Sequence, residues 1–346
     1  MSDTVFLTGA TGFVGGHVLD ALVARGYTVR ALARNGSADR IADRAEVVRG
    51  SLLATGALVP ALRGCRYLVH TAALYSFAPR DRTRMRQARI GDTSTLFSYA
   101  PRNRSRMQQV NVDGTAGLLE AARIAGVERA VVTSSSAAVG PARHGRPADE
   151  HDWGDPHHGA TGYHATKIVQ ERTALAGVIP VVTVLPTAPL GPGDAKPTPT
   201  GRMVLDIMRG RVPAYLGGGM NVVPVRDAAA AHVLALEQGV ARERYLAGGS
   251  NLTLAELFAL IASAAGTPAP RWRMPYALAL AAALADEARS QLTGVEPSVP
   301  LEGVRMGRLD MYSTSAKAER ELGYRASPIE PAIEDAVAWY RDHGYA

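Results

Sequence analysis

Thr8-Gly9-Ala10-Thr11-Gly12-Phe13-Val14-Gly15-Gly16 follows the apolar run Val5-Phe6-Leu7 and precedes an amphipathic stretch, His17 to Arg25. This order predicts a strand, a tight turn and a helix. Gly9 lets the chain turn sharply, Gly12 lets the backbone approach a pyrophosphate, and Gly15 lets the helix lie close to the strand. The amides of the first helical turn then face the phosphates, and the helix dipole favours their charge. A dinucleotide is the expected ligand, with Thr11, Phe13 and Val14 beside the three glycines.

Outward from this turn, short apolar strands alternate with helical segments. Gly26–Arg34 reads as a second strand, Glu46–Gly50 as a third and Tyr67–His70 as a fourth, with helices at Ala54–Arg63 and Asn111–Ala125. Arg129–Thr133 and Val181–Leu185 read as further strands. Alternation of this kind predicts an α/β fold, a doubly wound parallel sheet covered on both faces. Pro189, Pro192, Pro197 and Pro199, with Gly191, Gly193 and Gly201, mark a long connection out of this unit. Val222–Val225 and Tyr245–Ala247 are strand-like and are expected to return to the main sheet. The expected division is therefore interleaved: residues 1–185 and 221–250 form the dinucleotide-binding domain, and 186–220 and 251–346 a smaller, mainly helical substrate-binding domain.

The chain has 346 residues, 47% of them hydrophobic, enough for a large core. A single cysteine, Cys65, excludes an internal disulfide framework and fits a reducing compartment. No targeting signal precedes the first strand, and the longest apolar run, Tyr276–Ala285, is too short to span a membrane. A soluble, cytoplasmic protein is expected. The net charge of +6 is matched by one segment, Leu74–Gln109, where Arg80, Arg82, Arg84, Arg86, Arg89, Arg102, Arg104 and Arg106 face only Asp81 and Asp92. A local excess of this kind does not point to a nucleic-acid partner.

That segment also repeats itself. Leu74-Tyr-Ser-Phe-Ala-Pro-Arg-Asp-Arg-Thr-Arg-Met-Arg-Gln returns as Leu96-Phe-Ser-Tyr-Ala-Pro-Arg-Asn-Arg-Ser-Arg-Met-Gln-Gln. Two copies are too few for a solenoid, so a tandemly duplicated insertion within 74–115 is the reading. It leaves a strand's carboxyl end, where ligands bind in such sheets, and could form a substrate lid or a surface excursion.

The chemistry gathers at Tyr163-His-Ala-Thr-Lys167. Tyrosine and lysine four apart share a helix face. The chain has three lysines beside 35 arginines, so a lysine here suggests that a compact ammonium is needed. A phenol with a pKa near 10 is a poor acid–base group at neutral pH, and a nearby ammonium favours its phenolate. A serine from Ser134-Ser135-Ser136, ending the neighbouring strand, can hydrogen-bond the same substrate oxygen. At the end of the second strand Arg34 suits a 2′-phosphate, where a carboxylate would suit a free 2′-hydroxyl. NADP(H) is the expected cofactor. No metal is expected: His144, Asp149, Glu150, His151, Asp155, His157 and His158 are irregularly spaced on a loop.

These motifs resemble the extended short-chain dehydrogenases/reductases. The resemblance covers nearly the whole chain and rests on Thr8–Gly15, His70-Thr-Ala-Ala73, Asn111-Val-Asp-Gly-Thr, Thr133-Ser-Ser, Tyr163-x-x-x-Lys167 and Gly191-Pro-Gly-Asp194. It is closest to the dihydroflavonol-reductase-like branch and to hopanoid-associated sugar-epimerase-like proteins, through Lys196–Arg202 and Lys317–Tyr324. It implies a Rossmann domain. It makes Ser135 the catalytic serine, Tyr163 the acid–base and Lys167 its partner, which also holds the nicotinamide ribose, with Asn111 supporting the lysine. It places Ser51, Leu52, Thr71, Ala72, Ala73, Pro186 and Thr187 against the cofactor. Ser51 stands where the family usually has an Asp, and Leu185 and Ala188 replace an Arg and an Asn that meet substrate pyrophosphate in nucleotide-sugar enzymes. The expected activity is reduction of a bulky ketone, or oxidation of the matching alcohol, polyketide-, flavonoid- or steroid-like. An NAD-dependent sugar-nucleotide epimerase and a non-catalytic NADP(H)-sensing regulator are the alternatives. The oligomeric state stays open, a homodimer being compatible with the reading.

Overall fold

The computed structural model describes residues 2–74, 106–142, 145–155, 162–293 and 301–346. Among these residues seven parallel strands form the main sheet: β1 (Thr4–Thr8), β2 (Thr28–Ala33), β3 (Glu46–Arg49), β4 (Tyr67–His70), β5 (Arg129–Thr133), β6 (Val181–Pro186) and β10 (Arg244–Ala247). Their order is β10-β6-β5-β4-β1-β2-β3. The direction of winding reverses between β1 and β4, and in a sheet of this kind the crevice for a ligand opens outside the carboxyl ends at that point.

Side chains alternate across β1, and this decides the two faces of the core. Val5 and Leu7 join the cluster under α1 (Phe13–Ala24) and the later helix α6 (Val225–Gln238). Phe6 joins the opposite cluster under α2 (Thr55–Leu62), α3 (Gly114–Ala125) and α4 (Gly162–Leu175). All three side chains are fully buried. Helix α1 begins at Phe13, inside the glycine-rich stretch, so the turn and the helix start are one feature. A π-helical turn at Gln109–Asp113 precedes α3 and turns Asn111 inward.

Beyond β6 the chain crosses into a second unit through β7 (Ala188–Leu190), α5 (Pro199–Met208), β8 (Ala214–Tyr215) and β9 (Gly219–Pro224). β9 pairs with β7, with β11 (Ser250–Thr253) and with β13 (Asp310–Met311), while β8 pairs with β12 (Trp272–Arg273). The expectation for Val222–Val225 is therefore corrected: Val222, Val223 and Pro224 lie in this smaller sheet, and Val225 opens α6. The edge position beside β6 is taken by Tyr245–Ala247 in β10. Asn221 fixes β9 where it is, because its Nδ2 donates to the Gly249 carbonyl at 3.2 Å and to Asn251 Oδ1 at 2.8 Å. In this unit α5, α7 (Leu254–Ala265) and α11 (Glu330–Asp342) enclose Leu205, Leu257, Ile261, Ile333 and Tyr340, α8 (Tyr276–Thr293) and α9 (Leu301–Met306) share a separate small cluster of Ala279, Ala283 and Val304, and α10 (Ala316–Leu322) sets Ala318 and Leu322 into the main-sheet core beside α6. The segment from Tyr75 to Ser105, with most of the duplication, lies outside the described residues.

Candidate active site

The glycines of the first turn divide their work in the way their surroundings dictate. Gly9 has φ +83°, and a Cβ there would lie 2.5 Å from Thr71 Oγ1 and 2.6 Å from the Ala72 amide. At Gly15 a Cβ would stand 2.1 Å from the Gly9 carbonyl. Gly12 differs: a Cβ would meet only the Gly9 carbonyl, at 3.2 Å, and otherwise open space. Gly9 and Gly15 thus answer to contacts within the protein, while the open side of Gly12 leaves its backbone approachable. Gly12 caps α1 without any side-chain hydrogen bond, and the first turn carries no acidic residue, so neither competes with an incoming phosphate.

Around the turn, Thr71 Oγ1 donates to the Thr8 carbonyl at 2.7 Å, joining the ends of β1 and β4. Thr71 and Ala72 are half-buried and Ala73 is exposed. Ser51 is exposed, with its Oγ accepting from the Leu53 amide, while Leu52 is buried beneath it. Arg34 is exposed at the end of β2 and caps the 3-10 turn Asn35–Arg40. The sequence reading missed Arg40, whose Nη2 donates to the Thr11 carbonyl at 3.3 Å and brings a second guanidinium to the turn. Neither arginine has a salt-bridged carboxylate among the described residues. At the end of β6, Pro186 is buried and Thr187 carries a buried hydroxyl with no partner among the described residues. Such an orphan at a strand's carboxyl end suits a ligand contact.

Lys167 is the electrostatic centre. It is 2% exposed, and its Nζ donates to the Thr133 carbonyl at 3.0 Å and to Gln170 Oε1 at 2.9 Å. Burial pushes its pKa down to about 8, against the opposing pull of Glu171. Tyr163, half-buried, stands one turn earlier on α4. Helix α4 packs on the 3-10 turn Ser136–Ala138, so the tyrosine and the serine-bearing strand end sit on facing elements.

The three serines there do different things. Ser134 is buried and gives its proton to Glu171 Oε2 at 2.9 Å. Ser135 caps the 3-10 turn, accepting from the Ala137 amide at 3.2 Å, which leaves its own proton to donate elsewhere. Ser136 is already within the turn. Glu171, fully buried, also accepts from Thr183 Oγ1 at 2.8 Å and from Arg244 Nε at 2.9 Å. Arg244 in turn holds the Glu150 and Asp152 carbonyls and stacks on Trp153, 3.6 Å from its ring centroid. The spacing Lys-x-x-x-Glu was the available signal for this anchor, since Glu171 follows Lys167 by four residues.

Asn111 contributes differently from the expectation. Its side chain is spent on Leu74, accepting from that amide at 2.7 Å and donating to its carbonyl at 2.9 Å. It reaches Lys167 through its own carbonyl, by way of Thr115 and Gln170. Two histidines, both fully buried and held neutral by that burial, flank the lysine: His70, with a pKa pushed down to about 3, and His232, pushed down to about 4.

The sheet order and the site on it define an extended short-chain dehydrogenase/reductase. The profile of the NAD dependent epimerase/dehydratase family matches residues 5–108 and 98–248, and the chain belongs to that family, whose members are oxidoreductases and epimerases. The two matched stretches overlap at 98–108, within the duplicated segment. A Synechocystis sp. protein provisionally named dihydroflavonol 4-reductase is 36% identical over 355 residues, covering 100% of this chain and 96% of that one. Sterol demethylase protein B of Methylococcus capsulatus is 34% identical, with 99% of each chain covered. Among solved structures, the crystal structure of gox2253 has a TM-score of 0.80 at 37% identity, covering 99% of both chains. Among the described residues no helix is long and apolar enough to cross a membrane.

Proposed function

We propose that this protein is an NADP(H)-dependent ketoreductase or alcohol dehydrogenase. The observation that carries the reading is Lys167, buried one helical turn from Tyr163 and hydrogen-bonded to the strand end that presents Ser135. When bound, the nicotinamide would supply or accept the hydride. Tyr163 gives its proton to the carbonyl oxygen during reduction, and Ser135 donates a hydrogen bond to that oxygen. The Lys167 ammonium favours the phenolate that Tyr163 becomes, bringing its acidity toward neutral pH.

NADP(H) is favoured over NAD(H) by Arg34 and Arg40, two guanidinium groups without a carboxylate partner among the described residues, at the end of the cleft where the adenine ribose would lie. Gly9, Thr11, Gly12, Phe13, Val14 and Gly15 would hold the pyrophosphate. Ser51 and Leu52 would face the adenine, and Thr71, Ala72 and Ala73 the middle of the dinucleotide. Pro186 and Thr187 would flank the nicotinamide, where the unpartnered Thr187 hydroxyl could bond its carboxamide. The substrate is a bulky ketone or secondary alcohol held against the smaller unit. Relatives named for a flavonoid and a sterol support a polycyclic skeleton. Leu185, buried against Val139, Ala148 and Leu246, offers nothing polar to a nucleotide pyrophosphate.

The test is NADPH and NADH oxidation with a panel of polycyclic and polyketide-like ketones, repeated with Tyr163→Phe. Turnover with NADPH that is lost in the variant, while NADPH still binds, is the expected result. Turnover persisting in Tyr163→Phe would refute the assigned acid. Co-purified NAD without ketone turnover would favour an epimerase, and NADPH binding without turnover a regulator.

A further inference from the structure

Behind Lys167 runs a buried line of polar side chains in which every proton has one possible direction. Thr115 Oγ1 donates to the Asn111 carbonyl at 2.6 Å, which uses its only proton. It must therefore accept from its other two neighbours, Gln170 Nε2 at 3.0 Å and His70 Nε2 at 2.9 Å. A neutral His70 that donates from Nε2 accepts at Nδ1, so Thr8 Oγ1 donates there, at 2.7 Å. With Nε2 of Gln170 turned to Thr115, its Oε1 is the atom that faces Lys167, and it accepts from Nζ at 2.9 Å. His70, Asn111, Thr115, Lys167 and Gln170 are each at most 2% exposed. A flipped Gln170 amide would set an N–H against the ammonium and a carbonyl against an oxygen that has no proton left. The line thus permits one amide orientation only.

We infer that Gln170 is the positioning residue for Lys167, its amide oriented by Thr115 so that Oε1 and the Thr133 carbonyl together hold the ammonium beside Tyr163. This rests on the role given to Lys167 under the proposed function. The charged and titratable groups that bear on Nζ among the described residues are Tyr163 and Glu171 on the same helix, His70 on β4 and His232 on α6. Both histidines are uncharged. His232 donates from Nδ1 to the Ala228 carbonyl at 2.7 Å and accepts from Thr133 Oγ1 at 2.7 Å, so it faces the lysine's strand end as an acceptor already in use. Gln170 is then the only side-chain acceptor within hydrogen-bond reach of Nζ among the described residues, the other being the backbone carbonyl of Thr133.

Only three lysines occur in the chain, Lys167, Lys196 and Lys317, so lysine-labelled protein gives three side-chain signals, assigned with Lys196→Arg and Lys317→Arg. Following each signal by NMR against pH reads Lys167 directly, without any substrate. In Gln170→Met, which keeps the shape and removes the acceptor, the Lys167 midpoint should fall by about one pH unit. Under the same substitution kcat should fall about tenfold, with KM for NADPH changed by less than about twofold, and the alcohol-oxidation profile should move to higher pH. Thr115→Val should move the Lys167 midpoint in the same direction, Thr115→Ser should restore it, and the double variant Gln170→Met/Thr115→Val should be no worse than Gln170→Met alone. A Lys167 midpoint unchanged in Gln170→Met and Thr115→Val, or effects of the two that add in full, overturns the inference. A parent enzyme that reduces no ketone but shows the shifted Lys167 midpoints would support the positioning role while refuting the proposed reaction.

Discussion

Burying Lys167 has a cost that depends on pH, and its size follows from the surroundings of the ammonium. In the unfolded chain the amine titrates near 10.5, and in the folded protein burial brings it down to about 8. Between these values the unfolded state holds the extra proton, so stability rises as pH increases through this window. At pH 7 both states are charged and the full penalty applies, about 3 kcal/mol for a shift of this size. By pH 10 the folded state is neutral and the unfolded chain is still largely charged, leaving roughly 1 kcal/mol.

Lys167→Met removes the titration. It also leaves the Thr133 carbonyl and Gln170 Oε1 without their donor, a loss that does not vary with pH. Urea unfolding of parent and variant at intervals from pH 7 to pH 10 separates the two effects. The difference between the two stabilities should change by roughly 2–3 kcal/mol across that range, the parent gaining on the variant as pH rises. Carrying both proteins on a Tyr163→Phe background removes the one tyrosine whose titration Lys167 alters, and the remaining tyrosines and lysines titrate in both and cancel. Parallel curves for the two proteins would show that Lys167 is not held against its ordinary pKa, and its proposed role beside Tyr163 would lose its electrostatic basis. With Tyr163 in place, Lys167→Met should also have no ketone turnover at any pH, whichever of the two is more stable.

The two glycine classes separate by experiment: Gly9→Ala, forced into φ +83° against Thr71 and Ala72, should cost at least about 2 kcal/mol in thermal or urea unfolding. Gly12→Ala should stay within about 1 kcal/mol of the parent while NADPH affinity, measured by fluorescence titration, falls at least about tenfold. Ser134→Ala, which takes one donor from buried Glu171, should lower stability by about 1.5–3 kcal/mol and leave kcat within a few-fold. Ser135→Ala should do the opposite, lowering kcat about 100-fold or more while losing only about 1 kcal/mol of stability with its cap to the Ala137 amide, and equal kcat losses in the two variants would overturn the division of roles. Arg244→Met strands Glu171 without its countercharge and should cost about 3–5 kcal/mol, read by denaturant unfolding.

What the sequence discloses and what it withholds divide along contact range. The turn at Thr8–Gly16 is legible because its constraints are local: three glycines at fixed spacing and an apolar strand before them specify a backbone path. Tyr163 and Lys167 are legible for the same reason, since a four-residue spacing puts them on one helix face wherever that helix lies. Val222–Pro224 misleads because an apolar β-branched run reports that a strand forms, and its partner depends on Asn221, Asn251 and Ser313, far apart in the chain. The part played by Asn111, which the family motif names, and by Gln170, which no motif names, stays hidden for a further reason. Their value lies in which hydrogen-bonding atom is turned which way, and that is decided by neighbours from β1, β4, α3 and α4 at once. A residue that bonds the lysine and one that orients its partner look alike in a sequence, as single polar letters in helices. The direction of each proton can be assigned only after the line from Thr8 to Lys167 is closed, and it then follows from donor and acceptor counts alone. The glycine-rich turn and helix α4 are thereby joined through one buried polar structure: Thr8, which ends the strand leading into the turn, is four hydrogen bonds from the Lys167 ammonium. The phosphate recognition proposed at one end and the acid–base chemistry proposed at the other would share a hydrogen-bonded connection through the middle of the sheet.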